Sequence, residues 1–264
     1  MFRRLAVLLL SLALGGCGTV YDQPVVRGPA TTISPQVNPG RRDLAEGVAE
    51  YRVAARRIEA QSETMCLEAD GGSSPRRCVF GFLLVDDPRI GPNAFQTVDR
   101  AGRPIVAMTV QLVAETRNAD EIAFILGHEA AHHIVDHIAR TQTQAMTGAM
   151  VLGTLATLGN ASDDVISDMM DLGASLGGRA YSQSYELEAD RLGAFIAARA
   201  GYDPERGARV FARPVLAGGG GLLSTHPASA QRQAAVAATA AEIRRQQSAG
   251  YRPDPNLAAR ALLN

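Results

Sequence analysis

Five histidines stand in this sequence, and four of them fall between positions 128 and 137. His128-Glu129-Ala130-Ala131-His132 forms an H-E-x-x-H pattern. Each helical residue advances about 100°, so His128 and His132 project from one face and can grip one ion. Imidazole suits zinc, the usual occupant of such a pair. Glu129 sits one step round, within reach of a water activated there, and can take its proton. The same five residues also occur by chance in Ala-rich helices, so the pattern must be judged by its context. His133 and His137 repeat the spacing, but Ile134 follows His133 where a Glu would be needed. His137 also lies about half a turn from His128 on one continuous helix. These two read as structural or surface histidines.

The surrounding residues predict the helix that the pair requires. Asn118 is a candidate N-cap, Asp120 and Glu121 occupy the first turn, and Ile122, Ile125, Leu126, Ile134, Val135 and Ile138 supply apolar positions. Such a helix is largely buried, where uncompensated His and Glu are costly.

A second polar constellation follows at Ser182–Gly193. Ser182 or Ser184 can cap a helix running to about Ala200, which Gly201 ends. Glu186 and Asp190 are four apart, and Ala189 and Gly193 lie on nearly the same face. Small side chains there permit close approach to another helix, so Glu186 is a candidate third ligand. Asp190 can then hold the far nitrogen of a ligand histidine. The alternative is that both acids face solvent and Asp190 pairs with an Arg. Glu188, about 200° round from Glu186, is the rival ligand and is expected to face away. Further on, His226 precedes a helix from Ala228 to Gln247 that contains Arg232, and both can either point at the metal site or remain cap-region and surface groups.

Other elements frame these groups. Arg41 to Met65 reads as an amphipathic helix with Leu44, Val48, Tyr51, Ala55 and Ile58 on one stripe. Val79 to Val85, Pro92 to Val98 and Pro104 to Glu115 read as three strands, with a turn at Asp99 to Arg103. An antiparallel hairpin beside a metal helix predicts an α+β domain. A strand edge near the site can bind a substrate backbone by β-addition, and Asn93, Ala94 and Phe95 are placed there, with plain core strands as the alternative. Met146 to Leu158 and Val165 to Leu176 are apolar, small-residue segments that suit a mobile cover, a core or a membrane contact equally.

At 264 residues with 46% hydrophobic content the chain can bury one sizeable core. A net charge of -1 and the absence of Trp argue against nucleic-acid binding. Arg3 and Arg4 precede the apolar run Leu5 to Leu14, which is too short to span a bilayer comfortably and reads as a signal peptide over 1–16. Leu14-Gly15-Gly16-Cys17 resembles a lipobox, so Cys17 is a candidate lipidation site and membrane anchor. Residues 17–40, rich in Pro, read as a tether. The folded domain is expected over 41–250, with a peripheral tail at 251–264. Cys66 and Cys78 remain, an even pair for which a disulfide is favoured in an oxidising compartment.

Together these residues resemble the HtpX and CaaX-prenyl-protease type of zinc metallopeptidases, in particular its periplasmic lipoprotein branch of the β-barrel-assembly-enhancing kind. The resemblance rests on Asn93-Ala94-Phe95, the His128-Glu129-x-x-His132 helix, Glu186-x-x-Ala189-Asp190, Gly201-Tyr202-Asp203-Pro204, and His226-Pro227 with Arg232. It implies a mainly helical zincin-like domain with a small antiparallel sheet beside the metal helix. It also implies one Zn2+ held by His128, His132 and Glu186, with Glu129 as general base and His226 and Arg232 near the reacting carbonyl. In some relatives the counterpart of His226 itself occupies the metal, which would keep the enzyme latent. Gln183 stands where the family often has Arg.

The expected function is therefore a metalloendopeptidase that trims misfolded envelope proteins on the periplasmic face of a bacterial membrane, the outer one being indicated by Gly18. One alternative is a zinc-stabilised assembly factor for outer-membrane proteins with latent proteolysis, acting with their assembly machinery. Another is a cell-wall hydrolase.

Overall fold

The computed structural model describes residues 42–73, 75–179, 182–213, 216 and 221–257. The expected leader, tether and Cys17, and the tail beyond residue 257, lie outside the described residues. The first helix, α1 (Leu44–Asp70), opens on Asp43, whose carboxylate accepts the Glu46 N–H, and closes on Gly71 at φ 61°. It outruns the expected end at Met65 because no breaker precedes that glycine. Tyr51, Ala54, Ala55, Ile58 and Met65 bury its inner face.

Three strands follow: β1 (Gly81–Val85), β2 (Ala94–Val98) and β3 (Pro104–Thr109), in the spatial order β1-β3-β2. The hairpin β2–β3 is antiparallel, with Ala94 opposite Met108, as expected. The sheet as a whole is mixed rather than antiparallel, since β3 returns between the other two and so runs parallel to β1. The expected third strand is also too long. Thr109 leaves the ladder and its hydroxyl caps α2 (Val110–Glu115) by accepting the Leu112 N–H at 3.2 Å. Valine and leucine alternating with polar residues fit either state, and the cap decides between them.

Helix α3 (Ala119–Ile134) begins on Asn118, as the sequence indicates, and is buried from Asp120 onward. It packs against α1, the sheet, α6 (Ser182–Arg199) and α7 (Pro204–Gly207). The chain does not run on through Ile138 in one helix. Asp136 takes the left-handed conformation at φ 61°, and α4 (His137–Leu158) starts in a new direction.

Helices α4 and α5 (Asp163–Arg179) form a hairpin whose backbones nearly touch: a Cβ on Gly173 would lie 2.2 Å from the Gly148 carbonyl oxygen. The small residues thus hold the hairpin together, while Met146, Met150, Leu155, Leu158, Leu172 and Leu176 are exposed on it. Among the described residues no helix is long and apolar enough to cross a membrane. Helices α8 (Leu222–Thr225) and α9 (Ala230–Ser248) complete the body. The start of the tail is not peripheral, for Pro253 and Pro255 are buried and their carbonyls accept from Arg199 and Arg191 of α6.

Cys66 and Cys78 form the expected disulfide, Cα atoms 5.5 Å apart, tying α1 to the start of the sheet. Replacing both with Ser is expected to lower unfolding free energy by about 2–4 kcal/mol in urea titrations. A second prediction concerns Gly193 of α6, where a Cβ would meet the His128 backbone nitrogen at 2.8 Å. Gly193→Ala is expected to cost about 1–3 kcal/mol in the same assay and to weaken metal binding by lifting α6 from α3.

Candidate metal centre

The site is built where α3 and α6 meet without side chains between them. Gly127 faces the Gly193 carbonyl, and Gly193 faces the backbone of Gly127 and His128. At this spacing Glu186, two turns before Gly193, reaches the two histidines. His128 Nε2 lies 3.0 Å from His132 Nε2 and 3.3 Å from Glu186 Oε2, and His132 Nε2 lies 3.4 Å from Glu186 Oε1. His226, at the C-terminal end of α8, adds Nδ1 at 3.2 Å from His128 Nε2 and 3.0 Å from Glu186 Oε2. All four donor atoms lie within 4.8 Å of one another. Tetrahedral zinc, with bonds of about 2.0–2.1 Å, spaces its donors about 3.3 Å apart. The donor set therefore fits such an ion in both chemistry and spacing. His128, His132 and Glu186 are buried, whereas His226 is partly exposed.

The charges of the site are set by what surrounds it. Burial opposes a proton on His128, but Asp190 and Glu186 outweigh it and push its pKa up to about 9. Burial pulls His132 down to about 3, with Glu186 opposing and the charges of His128 and His226 adding to the fall. Burial alone would raise Glu186, yet hydrogen bonds from His128, His132 and His226 hold it well below the usual carboxylate range. Asp190 Oδ1 sits 3.0 Å from His128 Nδ1, the ring nitrogen turned away from the other donors.

Arg232 is engaged by carboxylates beside the donors. It is 1% exposed, grips both oxygens of Asp190 at 2.6 Å and lies 2.9 Å from Glu186 Oε2. Its remaining contacts are the carbonyls of His226 and Pro227 and the face of Phe211 at 4.2 Å. A guanidinium so engaged holds the Asp190 and Glu186 carboxylates in place. Asp190 does not face solvent, being fully buried, but it does pair with an Arg while also touching His128. Glu129 is 1% exposed, and its Oε1 lies 3.3 Å from His226 Nε2.

Glu188 faces away from the donors, as its position on the helix requires. Gln183 donates to Gln231 of α9 at 2.9 Å. Strand β2 lies at an edge of the sheet and packs on α3, with Ala94 buried and Phe95 partly exposed. Asn93 just precedes it and bonds Thr109 through its backbone. His133 is structural, donating from Nε2 to the Arg77 carbonyl at 2.9 Å. His137 is neither surface nor remote: its Nδ1 is 2.8 Å from His132 Nδ1. Sequence periodicity missed this contact because it assumed one helix through Asp136. The available signal was that Asp tolerates the left-handed conformation better than most residues.

The raised pKa of His128 has a measurable sign. Metal must displace a proton from His128 at neutral pH, so zinc affinity in a chelator competition is expected to climb about tenfold per pH unit up to about pH 9. In the metal-free protein this group contributes stability that is fully present below about 6.5, its unfolded value, and is lost as pH rises through about 9.

Comparison with known proteins finds relatives among metalloendopeptidases. The chain is 32% identical over 158 residues to mitochondrial metalloendopeptidase OMA1 of Arabidopsis thaliana, covering 59% of this chain and 30% of that protein. To the OMA1 metalloendopeptidase of Saccharomyces cerevisiae it is 30% identical over 161 residues, 56% of this chain and 44% of the relative. To the β-barrel assembly-enhancing protease of Yersinia pestis it is 29% identical over 136 residues, 49% of this chain and 27% of the relative. The chain thus spans less than half the length of these relatives. The model of peptidase family M48 matches residues 54–240, a span that contains every donor and Glu129, and the chain belongs to that family.

Proposed function

We infer that this protein is a zinc-dependent endopeptidase whose ligands are His128, His132 and Glu186 and whose general base is Glu129. The observation that carries this reading is the convergence of those three donors, with Glu129 beside them, in a buried pocket. When bound, zinc supplies Lewis acidity, polarising a scissile carbonyl and acidifying water. Glu129 takes a proton from the attacking water and passes it to the leaving amine as the C–N bond breaks. Asp190 orients the His128 ring, and Arg232 holds Asp190 and Glu186 in register. The outer edge of β2, the strand of Ala94 and Phe95 that follows Asn93, is the proposed docking edge for an extended peptide.

His226 completes a set of four protein donors and leans on Glu129. Four protein ligands close a zinc site, whereas catalysis needs an open position. His226 is the partly exposed member, so it is the one that must leave to admit substrate. We read this arrangement as a latched state.

The setting proposed is the periplasmic side of a bacterial envelope, with lipidation at Cys17, a tether over 17–40 and a catalytic domain over 41–250. The leader sequence and the Yersinia relative support it, the OMA1 relatives being mitochondrial. Misfolded or misassembled envelope proteins are the proposed substrates. A second reading, an assembly factor for outer-membrane proteins with latent proteolysis, is favoured by the same closed donor set.

These readings separate in one experiment on the form lacking residues 1–17. Glu129→Gln is expected to keep about one zinc per chain while casein cleavage falls by about 10²–10⁴-fold. His226→Ala is expected to raise cleavage. Zinc without cleavage in any form would favour the assembly factor, and absence of zinc would remove the ligand assignment.

A further inference from the structure

Outside the donor set, a chain of polar groups reaches one of the ligand histidines from the side opposite the ion. His137 Nδ1 stands 2.8 Å from His132 Nδ1, and His137 Nε2 stands 3.1 Å from Glu188 Oε2. Arg140 donates to the same Glu188 oxygen at 2.9 Å and lies over the ring of Tyr185. Tyr185 in turn stacks on His137 with ring centres 4.3 Å apart. His137, Glu188 and Tyr185 are all buried.

The protons on this chain have one arrangement compatible with metal binding. His132 turns Nε2 toward the other donors, so its own proton must sit on Nδ1. That N–H faces His137 Nδ1, which must therefore accept. His137 then carries its proton on Nε2 and donates it to Glu188, whose charge Arg140 balances. Were His137 protonated on Nδ1 instead, His132 would have to accept there and carry its proton on Nε2, blocking the lone pair a metal needs. Glu188 selects against that state because it requires a donor at His137 Nε2.

We propose that His137, oriented by Glu188 and Arg140, is a positioning residue that holds His132 in its metal-binding tautomer and ring orientation, as Asp190 does for His128. The proposal rests on His132 being a ligand. It also gives a purpose to the break at Asp136. On a continuous helix His137 would be about 140° from His132, out of reach. The reversal at Asp136 returns it to the site.

The bland alternative is a buried histidine that merely packs on Tyr185, and metal affinity separates the two. Zinc would be titrated against a chromophoric chelator in wild type, His137→Leu, His137→Asn and Glu188→Gln, with circular dichroism as the folding control and Co2+ absorption as the ligand-field readout. His137→Leu is expected to weaken zinc about 10–100-fold and to shift the Co2+ spectrum. His137→Asn, whose side-chain oxygen can accept from His132 Nδ1–H, is expected to recover most of that loss. Glu188→Gln keeps the volume and is expected to weaken zinc in the same direction by less, so it serves if the Leu variant does not fold. Wild-type affinity and spectrum in the folded Leu variant, or in Glu188→Gln where Leu fails, would overturn the proposal, as would equal losses in the Leu and Asn variants. Failure of the wild type to bind zinc would instead overturn the ligand assignment beneath it.

Discussion

The contact on which the site depends is backbone against backbone, Gly127 of α3 against Gly193 of α6. Helices usually pack with axes 8–10 Å apart because side chains stand between them. Here neither helix presents a Cβ at the crossing, and a Cβ on Gly193 would fall 2.8 Å from the His128 nitrogen. That approach lets the short side chain of Glu186 close on His128 and His132 at 3.3 and 3.4 Å.

Bringing these groups together buries charge, and the fold answers each charge with a partner. Asp190 has Arg232, while Glu121 and Asp120 at the start of α3 have Arg213 and Arg206. Removing one member of a fully buried pair, as Asp190–Arg232 and Glu121–Arg213 are, typically costs about 3–5 kcal/mol, because the other is left uncompensated. The pairs also fix geometry. Arg232 spans Asp190 and Glu186, so the residue that holds His128 and the residue that joins it among the donors move as one unit.

The α4–α5 hairpin is inserted between the two halves of the site. Its first residue, His137, touches His132, and soon after its end the chain supplies Tyr185, Glu186 and Glu188. The hairpin is held by its own small residues and exposes much of its apolar surface. Its root is therefore the part that bears on the chemistry, through the contacts joining His137, Arg140 and Glu188.

Several features were legible in the sequence because they are local. The i, i+4 spacing of His128 and His132, the Asn118 cap, and the small residues that share a face with Glu186 and Asp190 all follow from helical periodicity. The pairing of Cys66 with Cys78 followed from their being the even pair once Cys17 was set aside. What periodicity cannot carry is a change of direction or a choice of partner. One residue in the left-handed region, Asp136, made His137, read as structural or surface, a buried neighbour of His132. One hydroxyl, Thr109, ended a strand that the apolar pattern would have continued. Arg232 lies 42 residues from Asp190 along the chain, and only the packing of α9 on α6 decided that its charge is spent on that carboxylate. The sequence by itself determined which groups can bind a metal, because that depends on residue type and helical spacing. The tertiary structure decided which groups hold them, because a hydrogen bond acts over about 3 Å and is indifferent to distance along the chain.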